Sequence, residues 1–111
     1  LVKVISLNAQ QIEEKILGGE LISFVDTREK AGYETGHILG AKNIPLEELE
    51  RRKRDLPKSK IIVYDDDPLR SFRGAARLYD MGLFGVYNSL DDYQTLNESF
   101  QRQDSQQNEA E

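Results

Sequence analysis

Cysteine is absent from this chain of 111 residues. That excludes disulfide scaffolds, thiolate zinc sites and every mechanism built on a cysteine nucleophile. It says little about compartment, since a chain without thiols is tolerated anywhere; a cytoplasmic location is the expectation. No run of ~18 apolar residues is present either, so no spanning helix and no membrane partner are expected. No basic segment followed by an apolar stretch opens the chain, so no secretory signal is read. The first residue is Leu1 rather than Met, which leaves open that the chain is cut from something longer. A basic excess is also missing: 20 acidic against 15 basic residues leave a formal charge of −5. Nucleic-acid binders of this size carry the opposite balance, and no nucleic-acid partner is expected.

What remains is enough for one domain. The length fits a single unit, and 38% hydrophobic residues can fill one core but not two. Residues 1–5 are β-prone. Asn8 is placed to cap a helix over Ala9–Leu17, with Ile12, Ile16 and Leu17 on one face and Gly18-Gly19 as the stop. Leu21–Val25 is nearly continuous in apolar residues, as a strand covered on both faces should be. A short helical turn near Lys30–Glu34 and a brief strand at Ala41–Ile44 follow, and then a charged helix over Leu46–Arg54. Lys60–Tyr64 is the clearest buried strand, Ser71–Met81 has helical spacing, Val86–Leu90 is a last strand and Asp92–Phe100 a last helix. Residues 101–111 contain no large apolar side chain and are expected to be a disordered polar tail beyond a domain of residues 1–100.

Strands alternating with helices predict an α/β fold with a central parallel sheet flanked by helices. In such sheets the functional crevice lies beyond the carboxyl ends of the strands. The loop after strand 60–64 is Asp65-Asp66-Asp67-Pro68-Leu69-Arg70-Ser71, with a helix starting near Ser71. A strand–loop–helix junction presents unpaired N–H groups and the positive end of the helix dipole, and so holds anions. Here three carboxylates already occupy the approach.

The stretch from Asp26-Thr27-Arg28 through Tyr33 to Gly36-His37-Ile38-Leu39-Gly40-Ala41-Lys42-Asn43-Ile44-Pro45 resembles the first signature of rhodanese-like domains. Ile61–Tyr64 with Arg70-Ser71 and the Ala75-Ala76 helix resembles that family's active-site strand, loop and helix, and Val86-Tyr87-Asn88 its last strand. The resemblance covers about residues 3–100 and implies a small rhodanese-like domain with a five-stranded sheet. It also implies that the residue straight after the strand's aromatic should be a cysteine carrying a persulfide. Asp65 stands there instead. Asp65 through Arg70 matches the family's six-residue cradle of backbone N–H groups, whereas related dual-specificity phosphatases use a loop one residue longer.

A thiolate holds sulfane sulfur because it is soft and a good partner in S–S exchange; a carboxylate forms no stable analogue of a persulfide. Pro68 removes one N–H from the cradle. Asp66 and Asp67 oppose an anionic donor such as thiosulfate, by on the order of 1–4 kcal/mol for like charges at ~4 Å. The expectation is therefore a catalytically inactive domain with no cofactor, acting as a protein-interaction or regulatory module toward another protein or an attached domain. Asp65 is expected to sit in the old cradle as a built-in anion held by backbone donors, the helix dipole and Arg70, with Arg73 as a second counter-charge.

The rival expectation is an enzyme or metal-binding domain using the acidic residues. Asp65, Asp66 and Asp67 would join Asp91 and Asp92 at one end of the sheet, with Asp65, Asp67, Asp91 and Asp92 as candidate ligands for a hard divalent cation. A likeness to the Asp-x-Asp motif of haloacid-dehalogenase-type phosphatases is set aside, because Leu69 stands where Thr or Val is expected. His37, the single histidine, is expected to be structural, as are Asp26 and Arg28 paired with each other.

Overall fold

The computed structural model describes residues 4–109, and side chains through Gln101. Strands β1 (Ile5–Leu7), β2 (Ile22–Asp26), β3 (Lys42–Asn43), β4 (Lys60–Tyr64) and β5 (Val86–Ser89) form one sheet in the order β1-β5-β4-β2-β3. All four pairings are parallel. Helices α1 (Ala9–Leu17), α2 (Lys30–Thr35) and α3 (Pro68–Asp80) lie in the crossovers after β1, β2 and β4, and α4 (Tyr93–Glu109) follows the last strand. The expected five-stranded α/β sheet is what the chain forms.

Period-2 alternation splits the central strands β2, β4 and β5 between two cores. On β4, Ile62 and Tyr64 join Ile12, Phe24, Ile38 and Leu96 on one face, while Ile61 and Val63 join Val25, Ile44, Ala75 and Leu78 on the other. That is why Lys60–Tyr64 reads as an unbroken apolar run. Asn8 caps α1 as expected: its Oδ1 accepts from Gln11 N at 2.9 Å, and Gln11 returns the bond to Asn8 N. Ile12 is fully buried, but Ile16 and Leu17 stay largely exposed beyond the end of that face.

Two expectations fail. Leu46–Arg54 is not one helix but two 3₁₀ turns, Leu46–Glu48 and Lys53–Asp55. Its apolar anchors, Leu46 and Leu49, are three residues apart, a 3₁₀ period, and four consecutive bases repel along its second half. Arg52 instead pairs with Glu48 and Asp55 and donates to Asn43 O. The second failure is at the end of the chain, where α4 runs on to Glu109 rather than stopping at Phe100. Residues 101–109 are helical because a formed helix extends cheaply and no Gly or Pro interrupts it. The last two residues of the expected tail lie outside the described residues.

The architecture places the site. β2 leads into α2 on the face of Tyr64, whereas its neighbour β4 leads into α3 on the face of Val63. Adjacent strands that send their helices to opposite faces leave a crevice at their carboxyl ends. Asp26 and Tyr64 are in register there, so the loops that follow them meet.

Candidate functional site

Asp65 is the first residue past β4, and its carboxylate is buried, 4% exposed. Three groups hold it. The Thr27 hydroxyl donates to Oδ2 at 2.9 Å, Arg70 Nε donates to the same oxygen at 3.2 Å, and Asp67 N donates to Oδ1 at 3.1 Å. Arg70 also donates to Thr27 O and to Glu47 Oε1. Burial alone would lower Arg70, but its bonds to Glu47 and Asp65 outweigh that and raise it. Glu47 is lowered by its own backbone N–H and then by Arg70. The Asp65 carboxyl thus occupies the loop with the Arg70 guanidinium beside it.

Thr27 was missed by sequence reasoning. It is fully buried, and its N–H and hydroxyl both approach Tyr64 O, which ties the β2 loop to the β4 loop. A small hydroxyl residue straight after a buried strand carries no signal of its own until the strand pairing is known.

The rest of the loop is closed on itself. α3 begins at Pro68, not Ser71, because Asp67 is its N-cap and Pro68 occupies the first helical position. Asp67 Oδ1 accepts from Leu69 N at 2.9 Å, and Asp67 O accepts from Arg70 N and Ser71 N. Pro68 has no N–H to give. The donors of Asp67, Leu69, Arg70 and Ser71 are thus all committed within the loop. Ser71 is buried too, its hydroxyl packed against Asn88 Oδ1, and Asn88 Nδ2 donates to Ser6 Oγ.

The remaining carboxylates do not assemble. Asp66 is exposed and approaches Arg28 Nη1 at 3.7 Å. Asp91 Oδ2 accepts from Ala9 N at 2.7 Å, fastening the β5 loop to the start of α1. Asp92 Oδ1 accepts from Thr95 N in the first turn of α4. Among the described residues no three Asp, Glu, His or Cys side chains converge as metal ligands. The expected gathering of Asp65, Asp66 and Asp67 with Asp91 and Asp92 is corrected: each is spent on a different N–H or guanidinium. Arg73 forms no ion pair among the described residues, so Arg70 alone faces Asp65.

Asp26 and Arg28 pair as expected. Arg28 Nε and Nη2 grip the fully buried Asp26 carboxylate at 2.7–3.1 Å, and Nη2 also donates to Gly36 O. The guanidinium lies 4.6 Å from the centroid of Tyr93. Asn43 Nδ2 satisfies the carbonyls of Asp26 and Arg28. His37 stacks on Tyr33 at 3.7 Å and its Nδ1 meets Tyr33 O, a structural role.

The Asp-x-Arg loop after β2 and the six-residue loop after β4, ending in Arg70, meet through Thr27, Asp65 and Arg70 at the carboxyl ends of the strands. The rhodanese-like domain model fits residues 8–99. The chain belongs to the rhodanese-like domain family. A curated relative, the uncharacterized protein YqhL of Bacillus subtilis (strain 168), is 39% identical over 77 residues, 68% of this chain. The match spans 61% of that protein's length. Among solved structures, a rhodanese-related protein from Thermoplasma volcanium superposes with a TM-score of 0.72 at 26% identity, covering 85% of this chain and 91% of the other. A thiosulfate sulfurtransferase from Pseudomonas aeruginosa gives 0.71 at 25% identity, over 86% of this chain and 19% of the other. In this rhodanese-like chain no cysteine is available to carry a persulfide at any position. No helix among the described residues is long and apolar enough to cross a membrane.

Proposed function

We propose that this rhodanese-like domain transfers no sulfur and works as a protein-interaction or regulatory module, binding another protein or an attached domain. The single observation that carries it is the buried Asp65 carboxylate, held by Thr27, Arg70 and Asp67 N in the loop where the family's resemblance implies a persulfide. Sulfur transfer needs a nucleophile that attacks sulfane sulfur and then releases it by thiol–disulfide-type exchange. A carboxylate oxygen does neither. The N–H groups of Asp67, Leu69, Arg70 and Ser71 are committed to Asp65 and Asp67, so the loop offers an outside anion fewer donors than an open cradle would.

Keeping the scaffold while losing its chemistry suits a binding role, because function on such folds lives in the loops and not in the sheet. The test has two readouts on the purified domain. Thiosulfate:cyanide turnover should equal the enzyme-free rate, and a partner recovered on the immobilised domain should bind the isolated domain reversibly with a measurable Kd. Turnover above background overturns the inactive reading; failure of every recovered protein to bind the isolated domain overturns the module.

A further inference from the structure

At the pole opposite Asp65, a groove opens between segment 53–61 and the turn that leads into β5. Leu56, Ile61 and Val86 give it an apolar floor continuous with the core. Its walls carry Lys53, Arg54, Lys58 and Lys60 and no acidic residue. Four of the chain's 15 basic residues and none of its 20 acidic ones therefore line one groove of a molecule with net charge −5. Local positive potential in such a concavity is focused by its low-dielectric walls.

The neighbouring acids do not neutralise it. Asp55 is turned to Arg52, at 2.9 Å, and lines a different cavity beside β3. Glu20 takes only Lys60, at 2.8 Å, while also pairing with Lys15. Among the described residues Lys53, Arg54 and Lys58 form no ion pair. Gathering like charges around an apolar floor costs the free domain stability, and within the fold only Lys60 has an acidic partner to offset it.

We propose that this groove docks an acidic peptide segment of a partner protein. Apolar side chains of the segment seat against the half-buried Pro57 and Leu83, over the core residues Leu56, Ile61 and Val86, and its carboxylates meet Lys53, Arg54 and Lys58. This deepens the interaction role given above and rests on it for the partner's being a protein. A concave groove admits a single chain, whereas an anionic bilayer would need the cations on an open face.

The probe is a displayed library of short peptides in which Asp and Glu are interspersed with Leu, Ile and Phe, set against a library with Lys and Arg in place of the acids. The acidic library should yield binders that weaken with added salt. The double reversal Arg54→Glu with Lys58→Glu should weaken them by about tenfold or more, with the melting temperature unchanged or raised. Asp66→Ala, at the other pole, should leave them unaffected. Selection of basic peptides, indifference to the reversal, or tighter capture by phosphatidylglycerol vesicles than by any selected peptide overturns the groove. A recovered partner that binds the reversed variant as well as the wild type also overturns the groove but leaves the module intact. Sulfur turnover by the wild type would sink inactivity without touching the peptide result.

Discussion

Arg70 reaches back across the first turn of α3 and donates its Nε–H to Asp65 Oδ2 at 3.2 Å. One side chain of the loop thus supplies the carboxyl and another the guanidinium that bonds to it. The pair is joined to β2 through Thr27, whose hydroxyl and carbonyl serve Asp65 and Arg70 respectively.

Removing that anion should cost stability and not activity. Asp65→Ala removes the acceptor of Asp67 N, leaves the buried Thr27 hydroxyl only Tyr64 O, and leaves Arg70 only Glu47 and Thr27 O. Hydrogen bonds to a charged group are worth roughly 1.5–3 kcal/mol each when lost singly, and Arg70 is partly hydrated, so a total of about 2–3 kcal/mol is expected. Urea unfolding of the two proteins measures it.

Restoring the sulfur atom alone should not restore the reaction. In Asp65→Cys the loop still begins α3 at Pro68, and Asp67 still takes the N–H groups of Leu69, Arg70 and Ser71. Thiosulfate:cyanide turnover by this variant is expected at background. A rate clearly above it would show that the loop reopens.

The Asp26–Arg28 pair should be the most sensitive ionic contact. Asp26 is fully buried, and Arg28 is raised even though burial opposes its charge, because Asp26 holds it. Asp26→Ala leaves the buried guanidinium with only the exposed Asp66 carboxylate, 3.7 Å away, as a charged partner, with an expected loss of about 3 kcal/mol. Chemical denaturation checks this directly.

Tyr64 sets an alkaline limit. Burial, with the nearby Asp26 carboxylate adding to it, pushes the phenol well above its ordinary value of 10.0. A raised value in the folded state means the contribution is complete below the unfolded value. It is lost as pH rises from about 10 toward the folded value, since only the unfolded chain ionises freely. Urea midpoints should fall above that pH, and Tyr64→Phe should flatten the fall while costing the bond from Ile38 N to the hydroxyl.

Much of this was legible in the sequence. Asn8 caps α1, Lys60–Tyr64 is β4 residue for residue, and Asp26 pairs with Arg28, because each depends on neighbours or on strand periodicity alone. Asp67-Pro68 is an equally local helix-start signal, but the apolar spacing of Phe72, Ala75, Ala76 and Tyr79 points to a start near Ser71, one turn late. Thr27 and the separate uses of Asp91 and Asp92 were not legible. They depend on which backbone N–H each side chain meets across the sheet: Asp91 reaches Ala9, 82 positions away. The helix expected over Leu46–Arg54 failed because charge pairing favoured it while its apolar spacing did not.

The most direct measurement is a thiosulfate titration followed by amide and Arg Nε–H resonances of ¹⁵N-labelled protein. With its own carboxylate already seated, the segment from Asp65 to Ser71 should show no saturable change at millimolar thiosulfate. Progressive, saturating shifts at Asp67 N and Arg70 Nε would mean the bowl still accepts an outside anion, and the account would be wrong.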